Sequence, residues 1–207
     1  MTVTTILPKN ADKKLEPASP PKLEVIAEIH PEPEQGKVIS LEEFLVKPPD
    51  RMEWVDGNLV EKTGRTFKHG LAQSKLSTYW RNYKDSSGQR GEVLTEVLCR
   101  TSKQGRRPDV AYITPELLPE SGNFTAFSQS FPLIAEVASP EDSAEELFAK
   151  AQEYLESGCL EVWLLFPEAR LIFVNAGQRW LLFNADEVVN TQTVLAGFSV
   201  AVSELLA

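Results

Sequence analysis

Beyond residue 36 the chain alternates between short apolar runs and longer stretches whose apolar residues recur every three or four positions, a pattern that predicts strands interleaved with helices. Ser40-Leu41-Glu42-Glu43-Phe44-Leu45 opens a short helix with a Ser-x-x-Glu capping box, and Pro48-Pro49 stops it. Met52 to Val55 and Asn58 to Glu61 flank Asp56-Gly57, a strong hairpin signal. Phe67 to Tyr83 is helical by the spacing of Leu71, Lys75, Leu76, Tyr79 and Tyr83. Strands are predicted at Val93 to Cys99, Pro108 to Thr114 and Leu133 to Ala138. Ser139 as N-cap, Pro140 at the first helical position and Asp142 three residues after the cap then start a helix that runs to about Ser157, where Gly158 ends it. The strand Glu161 to Phe166 follows, so strand, helix and strand form a right-handed parallel crossover. Arg170 to Asn175 and Arg179 to Phe183 make a hairpin around Ala176-Gly177-Gln178, and Phe198 to Val202 is a short extended piece before a final helical turn. With no internal repeats, the order predicts a mixed α/β sandwich with one core over residues 37–207.

Residues 1–36 differ from the rest. They hold six of the fourteen prolines, with scattered charge and little periodicity, and are expected to be a flexible tail. His30 lies in that tail, which leaves His69 as the one histidine of the predicted body and argues against a zinc site or a Ser-His catalytic pair. Cys99 and Cys159 have no metal-ligand or redox spacing and read as reduced core thiols. No apolar run reaches membrane-spanning length, and the first residues lack a basic segment followed by an apolar one, so a cytoplasmic protein is expected.

Two acidic residues interrupt the apolar strands. In Pro108-Asp109-Val110-Ala111-Tyr112-Ile113, Asp109 shares a face with Ala111 and Ile113; in Leu133-Ile134-Ala135-Glu136-Val137-Ala138, Glu136 shares one with Ile134 and Ala138. Carboxylates in such surroundings repel each other unless a cation lies between them, and hard oxygen ligands suit Mg²⁺ or Mn²⁺. These ions also favour phosphate, so the pair points to phosphodiester chemistry.

Lys150 joins them by length. Glu136 lies four residues before Pro140, ~13 Å back along a strand, and Lys150 lies ten residues beyond it, ~15 Å along a helix. A helix folded back over its strand brings the two level. Helical phase puts Lys150 and Tyr154 on the border of the stripe Ala144, Leu147, Phe148, Ala151 and Leu155. Pattern alone leaves two readings, an ammonium snorkelling toward the acids or a surface pair with Glu146 or Glu153.

The formal charge of −9 is unevenly spread: residues 62–107 hold eleven Lys or Arg against three acids, and residues 108–207 hold three against fifteen. Either the basic segment contacts a nucleic-acid backbone beside an acidic metal site, or its cations pair with the acidic half across the fold. Arg106, Arg107, Lys68 and His69 are the candidate phosphate contacts. No nucleophile elbow, phosphate-binding Gly-Lys-Ser/Thr loop or dinucleotide fingerprint is present.

Glu53-Trp54-Val55-Asp56-Gly57-Asn58-Leu59-Val60, Arg107-Pro108-Asp109-Val110, Glu136-Val137-Ala138-Ser139-Pro140, Lys150 with Tyr154 and Gly158, Glu161-Val162-Trp163 and Ala196-Gly197-Phe198 together resemble the Uma-two family of restriction-endonuclease-like proteins, over roughly residues 38–205. The resemblance implies the PD-(D/E)XK fold, a mixed β-sheet flanked by helices with an N-terminal and a C-terminal hairpin added, and metal-dependent cleavage of DNA. In the wider superfamily the lysine usually stands two residues after the second acid, where this chain has Ala138; the family's displaced lysine maps to Lys150. Asp109 and Glu136 are then metal ligands, with the backbone carbonyl of Val137 as a third, and Glu53 matches an early acidic position that adds a ligand or holds a metal-bound water, its alternative being a hairpin residue paired with Arg51 or Lys62. A homodimer remains open, as does a catalytically silent module that binds DNA or a protein partner.

Overall fold

The apolar runs at 133–137 and 161–166 lie side by side at the centre of a six-stranded sheet, where helices cover both faces. The structure, a computed structural model, describes residues 39–62, 66–119, 123–177 and 179–207. The tail of residues 1–36 and the turn residue Gln178 lie outside the described residues.

Helix α1 (Leu41–Val46) has the expected capping box, with Ser40 Oγ accepting from Glu43 N at 3.2 Å and the Glu43 carboxylate accepting from Ser40 N at 2.9 Å. Strands β1 (Met52–Val55) and β2 (Asn58–Glu61) pair around Asp56 and Gly57, both at positive φ (49° and 86°), as a type I′ turn requires. Helix α2 (Phe67–Ser87) starts at Thr66, whose hydroxyl accepts from His69 N, and ends at the left-handed Gly88. The short strands β3 (Glu92–Leu94), β4 (Cys99–Arg100) and β5 (Gly105–Arg106) lead into β6 (Val110–Ile113) and β7 (Leu133–Val137). Helix α3 (Ala144–Glu156) connects β7 to β8 (Glu161–Phe166), and β9 (Leu171–Asn175), β10 (Trp180–Phe183), β11 (Val188–Asn190), β12 (Ser199–Ala201) and α4 (Val202–Leu205) complete the chain.

The main sheet has the order β10-β9-β8-β7-β6-β3, with β7 and β8 parallel and the other neighbours antiparallel. Strand alternation divides the core. Val110, Tyr112, Leu133, Ala135, Trp163 and Leu165 pack with Ala72, Leu76 and Trp80 of α2, and Ala111, Ile113, Ile134, Val162 and Leu164 pack with Leu147, Ala151 and Tyr154 of α3. Trp80 meets Trp163 edge to face at 5.8 Å. At the start of β8, fully buried Glu161 accepts from the Trp163 indole N–H at 2.7 Å and from Gln192 N and Thr193 N at 2.9 and 2.7 Å. Its carboxylate thereby ties the loop before β12 to the sheet. Among the described residues no helix is long and apolar enough to cross a membrane.

Several boundaries differ from the sequence expectation for local reasons. The run from Val93 to Cys99 is not one strand: Glu96 takes φ 59°, and the chain leaves the main sheet after β3 and enters a second, four-stranded sheet at β4. That sheet, β2-β1-β5-β4, contains the N-terminal hairpin, which is added outside the main sheet, and the C-terminal hairpin β9-β10 forms the edge of the main sheet. Helix α3 begins at Ala144 and not at Pro140, because Ser139 and Asp142 bond to each other in a turn and the working capping box is Ser143 with Glu146. Strands β5 and β11, of two and three residues, are too short to show an alternation.

Candidate active site

Asp109 immediately precedes β6, and Glu136 is the penultimate residue of β7. The antiparallel register Val110↔Ala135, extended by one residue, sets the two acids opposite each other where the strands separate. Glu136 follows Ile134 onto the α3 face, and there two side chains one helical turn apart converge on it. Tyr154 donates its hydroxyl to Glu136 Oε1 at 2.7 Å, and Lys150 Nζ lies 3.1 Å from the same oxygen. The same ammonium donates to Glu53 Oε1 at 3.1 Å. Of the two readings that pattern left for Lys150, the geometry has the inward one, and Glu53 pairs with Lys150 and Arg106, not with Arg51 or Lys62.

Glu53, Asp109 and Glu136 are 4 %, 1 % and 3 % exposed. Among the described residues three cations meet them. Arg106 reaches Glu53 at 3.2 Å and Glu153 at 2.8 Å. Lys150 bridges Glu53 and Glu136, and Lys62 donates to Asp109 Oδ1 at 2.7 Å. The other Asp109 oxygen accepts from Val137 N at 2.7 Å. His69 Nδ1 and Ser139 Oγ share a hydrogen bond at 3.0 Å, while His69 Nε2 is buried without one, 3.5 Å from Asp109 Oδ1.

Burial raises the cost of charge on every one of these acids, and the surroundings decide the outcome. At Asp109, Lys62 and His69 outweigh burial and hold the carboxyl far below the usual range. At Glu53, Lys150, Lys62 and Arg106 likewise outweigh it, and the net shift is downward. Glu136 goes the other way: burial, with Asp109 and Glu53 adding to it, exceeds the help of Lys150 and Lys62 and pushes its pKa up to about 7. Burial disfavours the Lys150 ammonium, but Glu136 and Glu53 reverse that and raise its pKa.

A raised carboxyl contributes stability at pH below its unfolded value, which is lost as pH climbs to the folded one. Glu136→Gln should therefore gain stability relative to wild type between pH 5 and pH 8 in chelator, read by thermal melts across that range. A constant difference would mean that Glu136 is charged throughout.

The cleft over these groups has a volume of about 930 Å³ and is lined by Glu53, Lys62, His69, Asp109, Glu136 and Lys150. Its exposed rim is acidic: Asp56, Glu61, Glu141, Asp142, Glu146 and Glu156 stand against Lys103. The basic segment 62–107 does pair in part with the acidic half, through Lys62 with Asp109, Lys68 with Glu168 and Arg106 with Glu153. Arg107 gives its guanidinium to the Met52 and Glu96 carbonyls. Of the four phosphate candidates, Lys68 is exposed, His69 is inside the cleft, and Arg106 and Arg107 are committed to protein acceptors. Replacing both arginines would disturb the fold as well as any ligand.

Sequence reasoning missed Lys62, which reaches an acid 47 residues away, and Ser139, which was assigned to a helix cap and instead holds His69. The one cue for Lys62 was its place closing the hairpin that carries Glu53.

Among the described residues no three of His, Cys, Asp or Glu gather as a ready-made ligand cluster. Two hard carboxylates beside a cleft, one of them short of positive charge, fit an ion that keeps several waters and takes the rest of its oxygens from a phosphate, as Mg²⁺ does.

A mixed sheet with acids at the diverging ends of two adjacent strands, and a lysine beside them, defines a restriction-endonuclease-like protein. Residues 40–203 match the Uma2 family, described as "Putative restriction endonuclease", and the chain belongs to that family. It is also similar in fold to a solved structure from Anabaena variabilis ATCC 29413, described as a "putative nuclease belonging to DUF820", with a TM-score of 0.72 and 21% identity over 81% of this chain and 97% of that one. No curated protein matches it.

Proposed function

We propose that this protein is a divalent-metal-dependent endonuclease that hydrolyses phosphodiester bonds of DNA in the cytoplasm. The observation that carries the proposal is Lys150: a lysine from α3 lies 3.1 Å from Glu136, fourteen residues earlier, in a cleft that also contains Asp109. A Mg²⁺ or Mn²⁺ ion held by Asp109, Glu136 and the Val137 carbonyl would polarise a phosphoryl oxygen and acidify a water. Lys150 then steadies negative charge on the phosphorane and orients the attacking water. Glu53 holds the Lys150 ammonium from the far side, and Tyr154 fixes the Glu136 carboxylate. Of the candidate phosphate contacts, His69 and Arg106 line the cleft, and Lys68 stands outside it at the start of α2.

Calorimetric titration of Mn²⁺ into wild type and Asp109→Ala tests the metal assignment; a site lost in the variant is expected, and identical titrations would overturn it. Cleavage of supercoiled plasmid tests the reaction, and its product also reads assembly, because a homodimer cutting both strands in one encounter yields linear DNA and a monomer yields nicked circles.

The acidic rim bears on the rival reading, a silent module that binds DNA or a protein. A polyanion is repelled by Glu141 and its neighbours unless cations screen them. Glu141→Lys should tighten DNA binding several-fold at low salt and steepen its salt dependence. If it does neither, and the wild type binds no DNA with metal present, a protein partner is the better reading.

A further inference from the structure

Lys62 sits on the oxygen of Asp109 that the backbone does not engage. Val137 N holds Oδ2 at 2.7 Å, and Lys62 Nζ holds Oδ1 at the same distance. Charge sharpens this. Among the described residues Glu53, Asp109, Glu136 and Glu153 meet Arg106, Lys62 and Lys150, and a divalent ion brought to Asp109 would stand directly against the Lys62 ammonium, like charge on like charge in a buried place. Of the three cations, Lys62 is the one placed to give way. Lys150 bridges Glu53 and Glu136 at 3.1 Å each and Arg106 bridges Glu53 and Glu153, whereas Lys62 has one close carboxylate, Asp109, with Glu96 at 3.7 Å and the Arg107 carbonyl at 2.7 Å. It also lies in the cleft wall on a flexible stem, and a compact, strongly hydrated ammonium can re-solvate as it moves.

We propose that Lys62 is a positioning residue for Asp109 that yields its place on Oδ1 to the metal ion, and that this exchange, more than the acids themselves, limits metal affinity. The proposal rests on Asp109 being a metal ligand. Lys62 keeps Asp109 ionised and aimed while the protein is metal-free, and competes with the ion for it afterwards. A lysine with a purely structural role would, when removed, weaken any metal site that it supports; a competitor would, when removed, strengthen it.

The test is calorimetry with Mn²⁺ on the full chain, alongside thermal melts in chelator and in Mn²⁺. Lys62→Met should bind Mn²⁺ at least about tenfold more tightly than wild type, and Lys62→Arg, which keeps the charge, should stay close to wild type. In chelator Lys62→Met should melt lower, and Mn²⁺ should raise its melting temperature by more than it raises that of wild type. Lys62→Gln, which retains a donor for the Arg107 carbonyl, should move in the same direction and serves if the methionine variant does not fold. Equal or weaker binding in Lys62→Met, with both proteins still losing the site through Asp109→Ala, would overturn the role of Lys62 and leave the nuclease proposal standing. Absence of any Asp109-dependent site in wild type and variants alike would overturn both.

Discussion

Lys150→Met is expected to cut supercoiled plasmid about 10³-fold more slowly than wild type, the loss found when a preorganised group facing developing negative charge is removed. Methionine keeps the aliphatic stem, and the buried face of α3, Leu147, Ala151 and Tyr154, is left unchanged. The substitution removes the ammonium that touches Glu136 and Glu53, both at 3.1 Å. Mn²⁺ binding should persist, because the proposed ligands are Asp109, Glu136 and the Val137 carbonyl. Initial rates in Mg²⁺, with calorimetry on the same samples, separate the two effects. A rate within about threefold of wild type would remove Lys150 from the chemistry, whereas joint loss of metal binding and cleavage would make it a support for the ligands.

The largest effect on stability is expected at Glu161, away from the cleft. Glu161→Ala strips the acceptor from the Trp163 indole and from the N–H groups of Gln192 and Thr193, all in a place where the side chain is 0 % exposed. A buried donor left unpaired costs ~1–3 kcal/mol; the Trp163 indole and Val194 N are buried, whereas the Gln192 and Thr193 bonds are part-buried and cost less. Allowing for partial relaxation, a loss of about 3–5 kcal/mol is expected, which in a chain of this size lowers the melting temperature by roughly 10 °C. Glu161→Gln retains an acceptor oxygen and should lose less than half of that. If the alanine variant melts within about 2 °C of wild type, the loop before β12 is held by its apolar contacts alone.

The parts of the fold legible in the sequence were those where one local rule decides. The Asp56-Gly57 turn, the Ser40 capping box and the unbroken apolar runs of β7 and β8 each follow from a few neighbouring residues. Illegible were the places where tertiary partners overrule local pattern. Glu96 turns the chain from one sheet into another through a left-handed residue that no glycine announces. Ser139 and Asp142 form a cap-like pair that makes a turn while Ser143 takes the cap. Asp109, Glu136 and Lys150 were readable as candidates because strand alternation and helix rise fix where such side chains go. Lys62, Arg106 and Ser139 were not read in their observed contacts, because each reaches its partner across elements distant in sequence, and alternation says which face a side chain is on but not what it meets.

The connection between β7 and α3 makes an unusual demand on a surface loop. Exposed connections ordinarily accept insertions and deletions. Residues 138–143 instead act as a ruler: Glu136 is fixed to the sheet, Lys150 to the helix, and one helical turn of slippage, ~5.4 Å, would carry the ammonium off the acids altogether. The Ser139–Asp142 turn and the hydrogen bond between Ser139 Oγ and His69 Nδ1 pin that length at two points. Variation in this protein should therefore show free exchange of residue type at the exposed positions 140 and 141, and almost none in their number.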